Sequence, residues 1–167
     1  FAAGGVNDPA LASLAAFAVV ASGGVGCVVA GAFADRLGRT TVTISAMAAS
    51  GTSAILCGLL FGAPAALVLA VAIVWGITVV ADSAQFSSAV SELSPPGTAG
   101  SALSLQVAVG FLLTSVTILV LGLVDTSDPS AWRIGFIVLA LGPAVGIAAM
   151  WRLRQRPEAV RMASGHR

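Results

Sequence analysis

The chain has 167 residues, of which 57% are hydrophobic and 9% charged, whereas a soluble domain carries about 25% charged residues. A mean hydropathy of +1.00 leaves more apolar surface than one core can hide under a polar exterior, which excludes an ordinary soluble globule. The formal charge is only +1 and no basic stripe is present, so there is no electrostatic footprint for nucleic acid.

Pro, Gly and charged residues cut the chain into five apolar stretches, each long enough to cross a bilayer as a helix of roughly 20 residues. Residues 1–10 form a loop; Phe1 stands where Met would open a gene product and no basic n-region precedes the apolar run, which reads as a fragment without a signal peptide. The first helix is expected over 11–34, stopping at Asp35, and the second over 42–61, stopping at Gly62, Ala63 and Pro64. The third, 65–93, is apolar to Ala81 and then amphipathic through Phe86, Ala89, Val90 and Leu93, until Pro95 and Pro96 break it. The fourth covers 99–124 and the fifth 131–151, separated by Asp125, Thr126, Ser127, Asp128 and Pro129. The fold class is therefore an all-α integral membrane protein, with nothing left over for a soluble domain.

Basic residues are retained on the cytoplasmic side of a membrane. Seven of the eight arginines, Arg36 and Arg39 between the first two spans and five in the tail 152–167, fall on one side, and Arg133 on the other. The N-terminal end is thus predicted outside and the tail inside. Tail arginines fit a positive-inside anchor better than a dedicated site for anionic lipid. Cys27 and Cys57 lie inside spans without CxxC or Cys/His spacing and read as small apolar filler, so no metal or disulfide is expected. His166 lies in the last residues and carries no assigned function.

The most specific signal is Gly31-Ala-Phe-Ala-Asp35-Arg36-Leu-Gly38-Arg39, which matches G-x-x-x-D-R-x-G-R at the junction of the first two spans. Gly31 lets a neighbouring helix backbone come close, and Gly38 permits a sharp turn before the next helix. Asp35 can accept hydrogen bonds from free amides at the start of another helix. The motif resembles the signature loop of the major facilitator superfamily of secondary transporters, with Thr40 and Thr41 where further basic residues usually stand. The resemblance implies that Asp35 meets the start of the fourth span near Thr98 to Ser101, and that Arg36 and Arg39 join a charge network holding an inner gate shut. Simple topogenic arginines are the alternative. The segment Ser91-Glu-Leu-Ser-Pro-Pro-Gly97 and the basic tail extend the resemblance along the chain.

Asp82 is the acidic residue well inside a predicted span, a costly position that normally faces a cavity or a partner. Trp75, Thr78, Asp82, Gln85, Ala89 and Glu92 recur at spacings of three and four, on one helix face. Asp82 is a candidate proton carrier, and Gln85 and Trp75 are candidate substrate contacts; alternatively Asp82 marks the membrane edge and the polar stretch is solvated. Gln106, Gly110, Thr114 and Thr117 make a second polar stripe, readable as substrate path or as helix packing. Gly142-Pro143 with Gly146 predicts a kink and a close contact in the fifth span, and Gly58 with Gly62 a weak packing motif.

The resemblance implies five of the six helices of one half-bundle, placed as helices eight to twelve with the N-terminal half missing, or as helices two to six of the first half. It implies transport of a small solute by alternating access, proton-coupled and without cofactors, in the bacterial inner membrane. A transporter-like sensor or accessory subunit is the alternative. The paired acid and base, reactive cysteine or metal ligands of an enzyme are not found in the sequence, so no catalytic residue is assigned.

Overall fold

The computed structural model describes residues 4–5, 7–123 and 129–165. The expected loop Asp125 to Asp128, the tail residues His166 and Arg167, and the first residues of the N-terminal loop lie outside the described residues. The described residues form α1 (Pro9–Leu37), α2 (Arg39–Leu59), α3 (Ala65–Leu93), α4 (Ala99–Gly122), α5 (Pro129–Leu139) and α6 (Leu141–Arg154), followed by two short 3-10 turns. They contain no strand. Five spans are long and apolar enough to cross a membrane, α5 and α6 together making the fifth.

Local chemistry sets the ends of these helices. Asp8 caps α1 by accepting the Ala10 N–H at 2.9 Å, with Pro9 at the first helical position, so α1 starts earlier than hydropathy alone suggested. It also runs further, through Asp35 and Arg36 to Leu37. The expected loop shrinks to Gly38, whose φ of 93° is a left-handed conformation natural to glycine and whose N–H bonds the Ala34 carbonyl at 3.0 Å. Pro95 holds Ser94 in an extended conformation and ends α3. The fifth span carries the kink expected of Gly142-Pro143: Ala140 alone leaves the regular helix, keeping right-handed helical dihedrals and bonding its N–H to the Phe136 carbonyl at 3.3 Å. Pro143 has no N–H for the Leu139 carbonyl and its ring crowds that carbonyl, so the helix kinks at Ala140.

The packing is inverted relative to a soluble protein. Arg39, Thr40, Thr43, Ser50, Ser53, Asp82 and Gln85 are buried, while the buried apolar side chains are mainly alanines and methionines, and large Leu, Val and Phe side chains face outward along α1 and α4. Lipid tails are as apolar as a leucine core, so association relies on close backbone approach and polar contacts. At the α1–α3 crossing, a Cβ on Gly26 would strike the Ile77 carbonyl and one on Gly76 the Val19 carbonyl. Ser22 donates across the same crossing to the Ile73 carbonyl at 3.3 Å. Gly31 has open space around it, so close approach falls to Gly23, Gly26 and Gly76 instead. Similarly Gly51 lies against Pro143 and Gly146 against Met47, which joins α2 to α6.

Gly26→Leu forces two backbones apart and should destabilise the bundle by about 1–3 kcal/mol, whereas Gly24→Leu, two residues earlier and facing open space, should be neutral. Thermal unfolding in detergent followed by circular dichroism checks this: the midpoint falls for the first variant alone.

Candidate functional site: a charge cluster and a polar cleft

The turn at Gly38 makes Arg39 the first residue of α2 and sends its side chain inward, where the residue is 7% exposed. A guanidinium in that position needs partners for its donors, because an unpaired buried charge is among the costliest features a fold can hold. Glu92, at the end of α3, supplies both carboxylate oxygens: Nε donates to Oε2 at 3.0 Å and Nη2 to Oε1 at 2.6 Å. This is the two-pronged geometry in which an arginine fork matches a carboxylate. The third prong, Nη1, donates to Gln85 Oε1 at 2.7 Å, one helical stripe further inward on α3.

The tail closes over the cluster. The Ala163 N–H donates to Glu92 Oε2 at 3.1 Å, and Met162 and Ala159 are fully buried beside Ala89, Leu93 and Leu153. Arg154 donates to Thr41 Oγ1 at 2.8 Å, tying the end of α6 to the start of α2. Asp35 stands at the rim, 3.8 Å from Arg39 Nη2 and with its side chain 73% exposed. Its predicted contact with the start of α4 is not formed: its one ion-pair partner among the described residues is Arg39. Arg36 is exposed and outside the cluster. The motif's anchor is thus Glu92, seven residues after Gln85, which sequence reading placed on the polar face of α3 without assigning it to Arg39. The available signal was that α3 ends on the same side of the membrane on which α2 begins.

The polar positions of α3 and α4 divide among three surroundings. Asp82 is buried and accepts a hydrogen bond from the Ser83 hydroxyl at 3.1 Å. Ser83 in turn lines a cleft of about 650 Å³ between α3 and α4, together with Ser87, Gln106, Thr114, Phe86 and Phe111. Gln106 Nε2 donates to the Ser87 hydroxyl at 3.3 Å, and its Oε1 is buried without a partner among the described residues. An acceptor left open beside hydroxyl groups is available to a donor on a ligand. Gln85 is held by Arg39 and does not reach this cleft. Trp75 is directed elsewhere again, edge-on to Phe136 of α5 with ring centres 5.8 Å apart. Thr78, Thr114 and Thr117 donate to the carbonyls of preceding turns, as hydroxyls inside helices commonly do.

Among the described residues no group of His, Cys, Asp and Glu is arranged to hold a metal ion. What remains is a multi-pass bundle, a charge cluster at one end and an uncharged polar cleft between two spans. Residues 7–161 match the family described as Sugar (and other) transporter. No curated protein and no solved structure matches the chain. With nearly its whole length matched, the chain belongs to the sugar (and other) transporter family of the major facilitator superfamily, whose members are multi-pass membrane proteins that carry small solutes.

Proposed function

We propose that this chain is one half of a secondary active transporter that moves an uncharged, hydroxyl-bearing solute by alternating access, driven by a proton gradient in the bacterial inner membrane. The observation that carries this reading is the Arg39–Glu92–Gln85 cluster, which locks α2 to α3 at the end where seven of eight arginines gather, the predicted cytoplasmic side. A locked end gives a half-bundle a rigid body to rock. Asp35 supports a second half in the same chain or another: a carboxylate in the last turn of a helix opposes the helix dipole, and its exposed position leaves it open to a donor from outside this bundle. The exposed apolar face of α4, which buries none of its residues, offers such a half a further surface to cover.

The solute class follows from the cleft. Its polar groups are the hydroxyls of Ser83, Ser87 and Thr114 and the amide of Gln106, with no charged side chain among the described residues that line it, and Phe86 and Phe111 offer apolar rings to the C–H side of a sugar-like molecule. Asp82 is the coupling group of this reading, since the Ser83 hydroxyl joins its carboxylate to the cleft and a proton gained or lost there alters the cleft's hydrogen bonding.

Glu92→Gln removes the charge that neutralises Arg39 and should cost about 2 kcal/mol, below the roughly 3–5 kcal/mol of a fully buried pair because the Glu92 side chain is 30% exposed. Transport in proteoliposomes should fall at least several-fold, and the double exchange Arg39→Glu with Glu92→Arg should recover part of it; no recovery counts against a paired role. Asp82→Asn should leave solute exchange between the two sides intact while uptake ceases to depend on an imposed pH gradient. Unaltered pH dependence removes Asp82 from coupling.

A further inference from the structure

At the end of the bundle opposite the charge cluster, a cavity of about 320 Å³ lies between the end of α2, the turn after it, the start of α3, and α5. It shares no lining residue with the polar cleft between α3 and α4. Four aromatic rings run along it in a continuous ribbon: Phe61 stacks on Trp132 at 6.4 Å with 12° between planes, Trp132 meets Phe136 at 6.4 Å, and Phe136 meets Trp75 edge-on at 5.8 Å. Two of the chain's three tryptophans are thus in one wall. Room for the cavity comes from small residues, with Gly62 and Ala63 on the turn and Ala65 and Ala72 on α3. Among the described residues, none that lines it is charged.

An apolar cavity of roughly 150 Å³ stays free of water and holds a benzene molecule. This one has about twice that volume and adds four aromatic rings to walls of small residues, so that a flat molecule gains offset stacking contacts. We infer that the cavity is a binding site for a small, flat, uncharged compound of two or three fused aromatic rings, reached from the lipid phase and separate from the solute path. The ring ribbon argues for this occupant over a lipid acyl chain, which makes no use of stacked planes. The described lining residues are uncharged, which argues against an ionised ligand, since none of them would offset its desolvation.

Anthracene is a suitable probe because it accepts excitation energy from tryptophan. With the full chain in lipid nanodiscs, anthracene should quench tryptophan emission in a saturable way at one molecule per chain, over a linear background from probe dissolved in lipid. Ala72→Phe, which fills the cavity, should abolish the saturable part, and Val68→Phe carries the same test if the first variant does not fold. Trp151→Phe, on the exposed side of α6, should leave it unchanged. A purely linear response, saturation that survives both cavity-filling variants, or displacement of anthracene by palmitate at equal concentration would overturn the assignment, the last by giving the cavity to acyl chains.

Discussion

The buried guanidinium of Arg39 is the constraint on which the rest of the motif end depends. Its position is set by a single glycine: with Gly38 turning the chain in one residue, α2 starts at Arg39 and the side chain is left buried. The charge must then be met where it stands. Glu92 and Gln85 do so from α3, the Ala163 amide adds a donor to the Glu92 carboxylate, and the tail residues Met162 and Ala159 pack beside Ala89 and Leu93 of α3. Low dielectric strengthens each of these contacts and would equally punish the loss of one. The cluster therefore acts as a unit that joins α2, α3 and the tail at one end of the membrane.

Elsewhere the bundle is held by proximity rather than by burial of large side chains. Gly23, Gly26 and Gly76 bring α1 and α3 backbone to backbone, and between α2 and α6 Gly51 receives the Pro143 ring and Gly146 the Met47 side chain. Such contacts leave the bulky residues of α1 and α4 facing outward, as suits a protein surrounded by lipid. The kink before Pro143 also matters for what α5 can do. It frees α5 to carry Trp132 and Phe136 against α2 and α3 at one end while α6 anchors to Met47 and Thr41 at the other.

The amino-acid sequence makes the five spans legible because lipid demands long apolar runs, and Pro95, Pro96 and Gly38 interrupt them in ways fixed by backbone chemistry alone. It makes the D-R-x-G-R junction legible for the same reason. Which side chains meet across helices is another matter, since spacing fixes the face of a helix but not the neighbour that face receives. Gly31 and Gly26 look alike in sequence, yet only Gly26 touches another backbone. Trp75 and Asp82 share a helical stripe, but two turns of α3 separate them, enough for one to meet α5 and the other to lie by the α3–α4 cleft. Asp35 looked like a partner for α4 and is instead a rim residue beside Arg39. The returning tail, with Ala163 and Ser164 at positive φ, has no local sequence signal at all.

The most direct test of the transport reading is accumulation of a radiolabelled neutral sugar in proteoliposomes that carry the full-length protein, under an imposed pH gradient. Accumulation above the external concentration that collapses on addition of a protonophore is the predicted result. Saturable sugar binding to the same preparation with no accumulation, gradient present or absent, would contradict it and leave a solute-binding membrane protein that does not transport.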